Sequence, residues 1–215
     1  EIIDVCEQLR RDPEVRVCIF TGAGDRAFST GFDLKERAPQ GEEPSFFAQL
    51  HARDRPGIHL HHQAISAMDK PTIAAIRGYA VGGGLEVALA CDIRVAAEDA
   101  KLGMMEVRRG RLGGSGGTQR LPRLIGTAKA LELCLTGELV DAAEAYHLCL
   151  VNRVVPVERL LVAAEEIAAK ICLGAPLSVI AIKKAITKGV ELPIDQGLRL
   201  ESELALALST TEDQK

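Results

Sequence analysis

Tryptophan is absent from this 215-residue chain and aromatic residues make up only 3% of it, so the core has to be built from Ala, Leu, Ile and Val. No apolar run reaches the ~18 residues that a membrane-spanning helix needs, so no span is expected. Positive charge is not in excess: 26 Lys and Arg stand against 30 Asp and Glu, for a net charge of −4. That balance lacks the basic field of a dedicated nucleic-acid binder. No Cys-x-x-Cys pair occurs among Cys6, Cys18, Cys91, Cys134, Cys149 and Cys172. Scattered cysteines, several of them in apolar runs, predict free thiols in a reducing cytoplasm rather than disulfides.

What is present is enough apolar content, 47%, for one substantial core with an appendage. Ile2, Ile3, Cys6 and Leu9 fall at helical spacing at the very start of the chain. The chain opens inside an element, so an N-terminal segment is expected to be missing. Val15–Phe20, Pro71–Ile76, Ile93–Ala97 and Val151–Val155 read as strands. Helices are expected over about 58–68, 82–90, 118–125, 128–135, 141–148 and from Pro156 onward. Residues 36–57 read mostly as loop, with a helical piece around Phe46, Phe47 and Leu50. Strands alternating with helices make an α/β core. The tail, 176–188 and 194–208, is amphipathic helix whose wide apolar faces, including Leu177, Ile180, Leu198 and Leu204, suit another subunit.

Two false leads can be set aside on context. Gly22-Ala23-Gly24-Asp25-Arg26-Ala27 imitates a dinucleotide fingerprint, but Phe28-Ser29-Thr30-Gly31 is expected to continue as loop where a helix should begin. Gly113-Gly114-Ser115-Gly116-Gly117 matches the hydrolase elbow formally, yet Arg108-Arg109-Gly110-Arg111 precedes it instead of an apolar strand. The better reading is close backbone approach, with N–H groups at the start of the next helix that favour negative charge. His51, His59, His61 and His62 have no acid or cysteine partner at a fixed spacing, so a solvated face is expected and no metal. Lys183, Lys184 and Lys188 read as a solvated basic edge, the competing role being phosphate or RNA contact.

Two carboxylates stand out. Glu86 lies in Gly-Gly-Gly-Leu-Glu-Val-Ala-Leu-Ala, and Glu106 in Leu-Gly-Met-Met-Glu-Val. Burying a carboxylate is costly unless it is paired. Each could be a structural acid paired with an arginine. Together, one of them a turn into a glycine-rich helix start, they suit shared acid/base work beside backbone oxyanion donors.

At these residues the chain resembles the crotonase, or enoyl-CoA hydratase/isomerase, superfamily. The carrying segments are Ala-Phe-Ser-Thr-Gly-Phe-Asp-Leu-Lys-Glu, Lys-Pro-Thr-Ile-Ala-Ala-Ile, Gly-Gly-Gly-Leu-Glu, Ala-Cys-Asp-Ile-Arg-Val-Ala and Gly-Gly-Thr-Gln-Arg-Leu-Pro-Arg. The resemblance implies a spiral of β-β-α turns over residues 1–172 and a helical oligomerisation region over 173–215 that builds trimers or hexamers. It also implies an enoyl-CoA hydratase of fatty acid β-oxidation, adding water reversibly to trans-2-enoyl-CoA. Coenzyme A is then part of the substrate and no further cofactor is needed. The backbone N–H groups of Phe32 and Gly83 would hold the thioester oxygen, and Glu86 and Glu106 would hold the water with help from Gly114. Phe32, Asp33, Leu34, Lys35 and Gly83 would line the acyl-CoA site, with Lys35 near the adenine. Carnitinyl-CoA-like dehydration, double-bond isomerisation and a non-catalytic RNA-binding or scaffold role are the alternatives. The chain departs from the family pattern in three places. Arg111-Leu112-Gly113-Gly114 replaces the usual loop with its Pro-Gly, Phe32 replaces a small residue, and the family's N- and C-terminal segments are not represented.

Overall fold

The computed structural model describes residues 1–32 and 60–212. Asp33, Leu34 and Lys35, and the expected loop and helical piece of 36–57, lie outside them.

After helix α1 (Ile2–Arg11) the chain alternates between two four-stranded sheets. β1 (Cys18–Thr21) enters the first sheet and β2 (Ala27–Ser29) the second. Helix α2 (Leu60–Ser66) leads to β3 (Thr72–Ile76) in the first and β4 (Tyr79–Val81) in the second. Helix α3 (Gly83–Ala90) then leads to β5 (Ile93–Ala97) and β6 (Lys101–Gly103). A 3₁₀ turn (Glu106–Arg109), helices α4 (Gly117–Ile125) and α5 (Thr127–Thr136), β7 (Val140–Asp141), α6 (Ala142–His147) and β8 (Arg153–Val155) follow. The spatial orders are β1-β3-β5-β8 and β2-β4-β6-β7, parallel throughout except for β6 with β7. Helices α7 (Leu160–Cys172), α8 (Pro176–Gly189) and α9 (Ile194–Leu208) complete the chain. This is the β-β-α spiral with C-terminal helices.

The first sheet came from long apolar runs. The second has strands of two or three residues, too short for a period-two pattern to register. Ala27–Ser29, expected as loop, is therefore a strand, and its pairing with β4 is what holds it.

β3 is buried along its whole length because both faces are covered. Ile73 and Ala75 join Val95, Ala97, Leu160, Ala163 and Ala164 on one face. Ala74 and Ile76 face the main core, with Leu85, Ala88, Leu102 and Leu121. Small side chains let the layers approach closely. A Cβ on Gly84 would fall 2.0 Å from the Ser29 carbonyl oxygen, so α3 reaches β2 only because that position is glycine.

Buried polar groups fasten the C-terminal end of α3. Arg94 donates from Nη1 to the carbonyls of Cys91 (2.6 Å) and Ala88 (3.5 Å), and from Nε to that of Leu150 (2.9 Å). A cation at a helix C-terminus also meets the favourable end of the helix dipole. Asp92 Oδ2 accepts from the Thr72 N–H (2.7 Å) and hydroxyl (2.9 Å), and pairs with Lys183 Nζ at 2.7 Å. Lys183 also donates to the Lys70 carbonyl at 2.9 Å and is only 9% exposed. The expected basic edge is thereby corrected. Lys184 and Lys188 are exposed, whereas Lys183 ties α8 to the sheet, because its long stem can carry the charge to the half-buried Asp92 carboxylate.

Helices α8 and α9 pack chiefly on each other. Leu177 and Leu198 are exposed, with Ile182, Ile186 and Leu206, while Ile180 and Leu204 are half-buried. Cys6, Cys18 and Cys91 are buried free thiols, and Cys149 and Cys172 are exposed ones. Among the described residues no helix is long and apolar enough to cross a membrane.

Candidate active site

Helix α3 is apolar all round except for Glu86, which explains why all of it but Gly83 and Val87 is buried. Glu86 sits in its first turn, 2% exposed, facing the glycine-dense loop that leads into α4. Its Oε1 accepts the backbone N–H groups of Ser115 (2.7 Å) and Gly117 (2.8 Å). No ion pair with an arginine or lysine involves Glu86 or Glu106 among the described residues. The arginine-paired reading of these acids therefore gives way to backbone donors, at least for Glu86. Arg120 instead braces the loop, donating to the Ser115 carbonyl (3.0 Å) and the Ser66 hydroxyl (3.2 Å).

Glu106 begins the 3₁₀ turn after β6 and is half-buried. Its Oε2 is buried and has no hydrogen-bond partner among the described residues. Burial raises its pKa above the ordinary carboxyl range, and the charge of Glu86 raises it further against the lowering effect of a backbone hydrogen bond. The two acids converge on the same glycine. A Cβ on Gly113 would lie 3.3 Å from Glu86 Oε1 and 3.8 Å from Glu106 Oε1. Gly114, half-buried, lies between that glycine and the Ser115 donor.

The expected oxyanion donors lie at the start of the helix that carries Glu86, where a Cβ on Gly82 would be 3.1 Å from Glu106 Oε1. Gly83 is the first residue of α3, so its N–H is outside the helix's own hydrogen-bond ladder and at the positive end of the dipole. The Gly31-Phe32 segment packs against it: a Cβ on Gly31 would be 3.0 Å from the Gly83 nitrogen. The Phe32 ring lies over Gly83 and meets His61 edge-on at 5.8 Å between centroids. The structure thus brings Phe32, Gly83, Glu86, Glu106 and Gly114 together, while Asp33, Leu34 and Lys35 fall outside the described residues.

Sequence reasoning missed two things here. It placed the histidines on a solvated face, whereas His62 is fully buried, its Nε2 at 3.2 Å from the Gly83 carbonyl and its ring tilted by 45° against that of His61. One histidine on the inner face of a short helix looks the same in sequence as one on the outer face. It also read the Gly113–Gly117 loop as an anion-favouring backbone without naming the anion, which is Glu86. Met104, whose methyl fills the space beside Gly113 and Gly117, carried no sequence signal at all.

Comparison with known proteins places the chain in a family. The family model described as enoyl-CoA hydratase/isomerase matches residues 1–215. An (E)-benzylidenesuccinyl-CoA hydratase from Thauera aromatica is 43% identical over 100% of this chain and 81% of its own length. A short-chain-enoyl-CoA hydratase from Clostridium acetobutylicum is 40% identical over 98% of this chain and 78% of its own. The crystal structure of an enoyl-CoA hydratase from Bacillus anthracis superposes with a TM-score of 0.90 at 41% identity, covering 99% of this chain and 80% of that one. Fold, length of match and identity together mean that this chain belongs to the enoyl-CoA hydratase/isomerase family.

Proposed function

We propose that the protein hydrates trans-2-enoyl-CoA thioesters to 3-hydroxyacyl-CoA, reversibly and with syn geometry. The thioester oxygen is held by the N–H groups of Phe32 and Gly83, which stabilise the enolate-like charge as it develops. Glu86 is fixed through one oxygen by Ser115 and Gly117, which leaves its other oxygen to orient a water. That water adds its oxygen to C3, and its proton passes to Glu86. Glu106, the acid whose surroundings favour protonation, gives a proton to C2. Gly114 supports the water from the loop. After hydration Glu86 holds the water's proton and Glu106 has lost its own. A proton passing from Glu86 to Glu106, directly or by exchange with solvent, restores both acids for the next turnover; the reverse transfers expel water.

The observation that carries this reading is the convergence of two differently held carboxyls on Gly113, one turn from the Gly83 donor. An isomerase needs only a single acid to move a proton between carbons, and that is why hydration is preferred. No cofactor is required beyond the coenzyme A of the substrate. The exposed apolar faces of α8 and α9 support assembly into trimers or hexamers, and a cytoplasmic role in acyl-CoA breakdown fits the free thiols. The test is the enoyl-thioester absorbance of crotonyl-CoA. The wild type is expected to remove it, and Glu106→Gln to do so at least about a hundredfold more slowly. A protein that binds CoA but leaves the absorbance unchanged would overturn the proposal.

A further inference from the structure

Beside Glu106 lies a small pocket. Its walls are Met104, Val107, Leu112 and Cys134, with Thr118 and Arg111 as its polar members, and Glu106 and Gly113 line its inner side. If the reading above holds, the thioester oxygen lies at Phe32 and Gly83 and carbons C2 and C3 lie between the two acids. The acyl group beyond C3 then has to continue past the acids, away from coenzyme A.

Arg111 is the unexpected member. Its backbone N–H donates to the Glu106 carbonyl at 3.0 Å, so the loop holds it one short turn from the reacting acid. Its guanidinium makes no ion pair among the described residues. It belongs to a run, Arg108-Arg109-Gly110-Arg111, in a chain whose net charge is negative. Arg108 is engaged with the Thr136 carbonyl at 3.3 Å, and Arg111 is the arginine of the run that lines the pocket. An apolar acyl tail has no use for that cation. A carboxylate matches its forked donors.

We infer that the pocket receives the distal end of the acyl group and that Arg111 selects enoyl-CoA substrates carrying a second carboxylate there. This rests on the hydratase reading and names its substrate class. The matched probes are trans-2-hexenoyl-CoA and trans-2-hexenedioyl-CoA, identical except that a carboxylate replaces the terminal methyl. The wild type is expected to favour the dioyl substrate in kcat/KM. In Arg111→Met, which keeps an apolar stem, the ratio of the two kcat/KM values should fall by about tenfold to a hundredfold, the usual scale for a lost charge-assisted hydrogen bond. Arg111→Lys should restore part of it. An unchanged ratio, including equal losses on both substrates as expected of an arginine serving the coenzyme A phosphates, would overturn the inference. If the wild type turns over neither substrate, hydration is what fails, and calorimetric binding of adipyl-CoA against hexanoyl-CoA decides Arg111 separately. Equal affinities, or a preference that survives Arg111→Met, would then overturn it.

Discussion

The surroundings of Glu86 and those of Glu106 solve opposite problems. Glu86 lies in a wholly apolar helix and is made tolerable there by two backbone N–H groups whose positions are set by a glycine loop and braced by Arg120. Glu106 lies on a short exposed turn, yet turns one oxygen into a buried place with no donor. The first acid is held rigidly in place. The second is left under-solvated, and its pKa rises in consequence. Two carboxyls of the same chemistry are thereby given different surroundings and separate tasks.

Removing either acid should have the largest effect. Glu86→Gln and Glu106→Gln should each lower kcat on crotonyl-CoA by on the order of a hundredfold to ten-thousandfold, and near-wild-type turnover in one of them would remove it from the mechanism. Gly117→Ala attacks the Glu86 side alone. Its Cβ would stand 3.0 Å from Glu86 Oε1 and 2.3 Å from the Met104 methyl. Met104 can swing away but the carboxyl cannot without losing a donor, so kcat should fall roughly tenfold to a hundredfold. Steady-state kinetics with unaltered activity would show that the two N–H bonds are not what positions this acid.

Lys183→Met tests how far the foundation of α3 extends. Asp92, just past the end of the helix, would keep its Thr72 donors but lose its cation. A stability loss of about 1–2 kcal/mol is expected by urea unfolding, as for a half-buried charge that loses its cation but keeps its hydrogen bonds. A loss indistinguishable from zero would mean that α8 is held by apolar packing alone.

The smallest effect concerns pH. The folded pKa of Glu106 lies above its unfolded value, so the folded state favours the protonated form and ionising it costs stability as pH rises through the folded pKa. Glu106→Gln should therefore have a higher melting temperature than the wild type at neutral pH, with the difference shrinking as pH falls. A constant difference across that range would show that Glu106 is as well solvated as an ordinary surface acid, and the contrast with Glu86 would then collapse.

Much of this was legible in advance for reasons that can be named. The buried strands at Thr72–Ile76 and Ile93–Ala97 are continuous apolar runs, and Glu86 is conspicuous as the only charge in an apolar helix. The glycine loop announced backbone donors because glycine permits close approach. The second sheet was not legible, since strands of two or three residues exist only through their neighbours. The same holds for Lys183 and His62. A lysine or histidine every few residues on a helix has no sequence mark distinguishing the one that turns inward to Asp92 or to the Gly83 carbonyl.

The chain's covalent order thus determined which segments are apolar, where glycine frees the backbone, and that two acids sit among apolar neighbours. Those are local properties, written in composition and spacing. Only the tertiary structure decided that the Ser115 and Gly117 donors meet Glu86, that Glu106 shares Gly113 with it, and that Arg111 stands at the far side of the same pocket. Those relations join residues on different elements of the fold, and the physical cause is packing. Two sheets and a buried helix leave a single place where these groups can lie, and no spacing along the chain encodes that place.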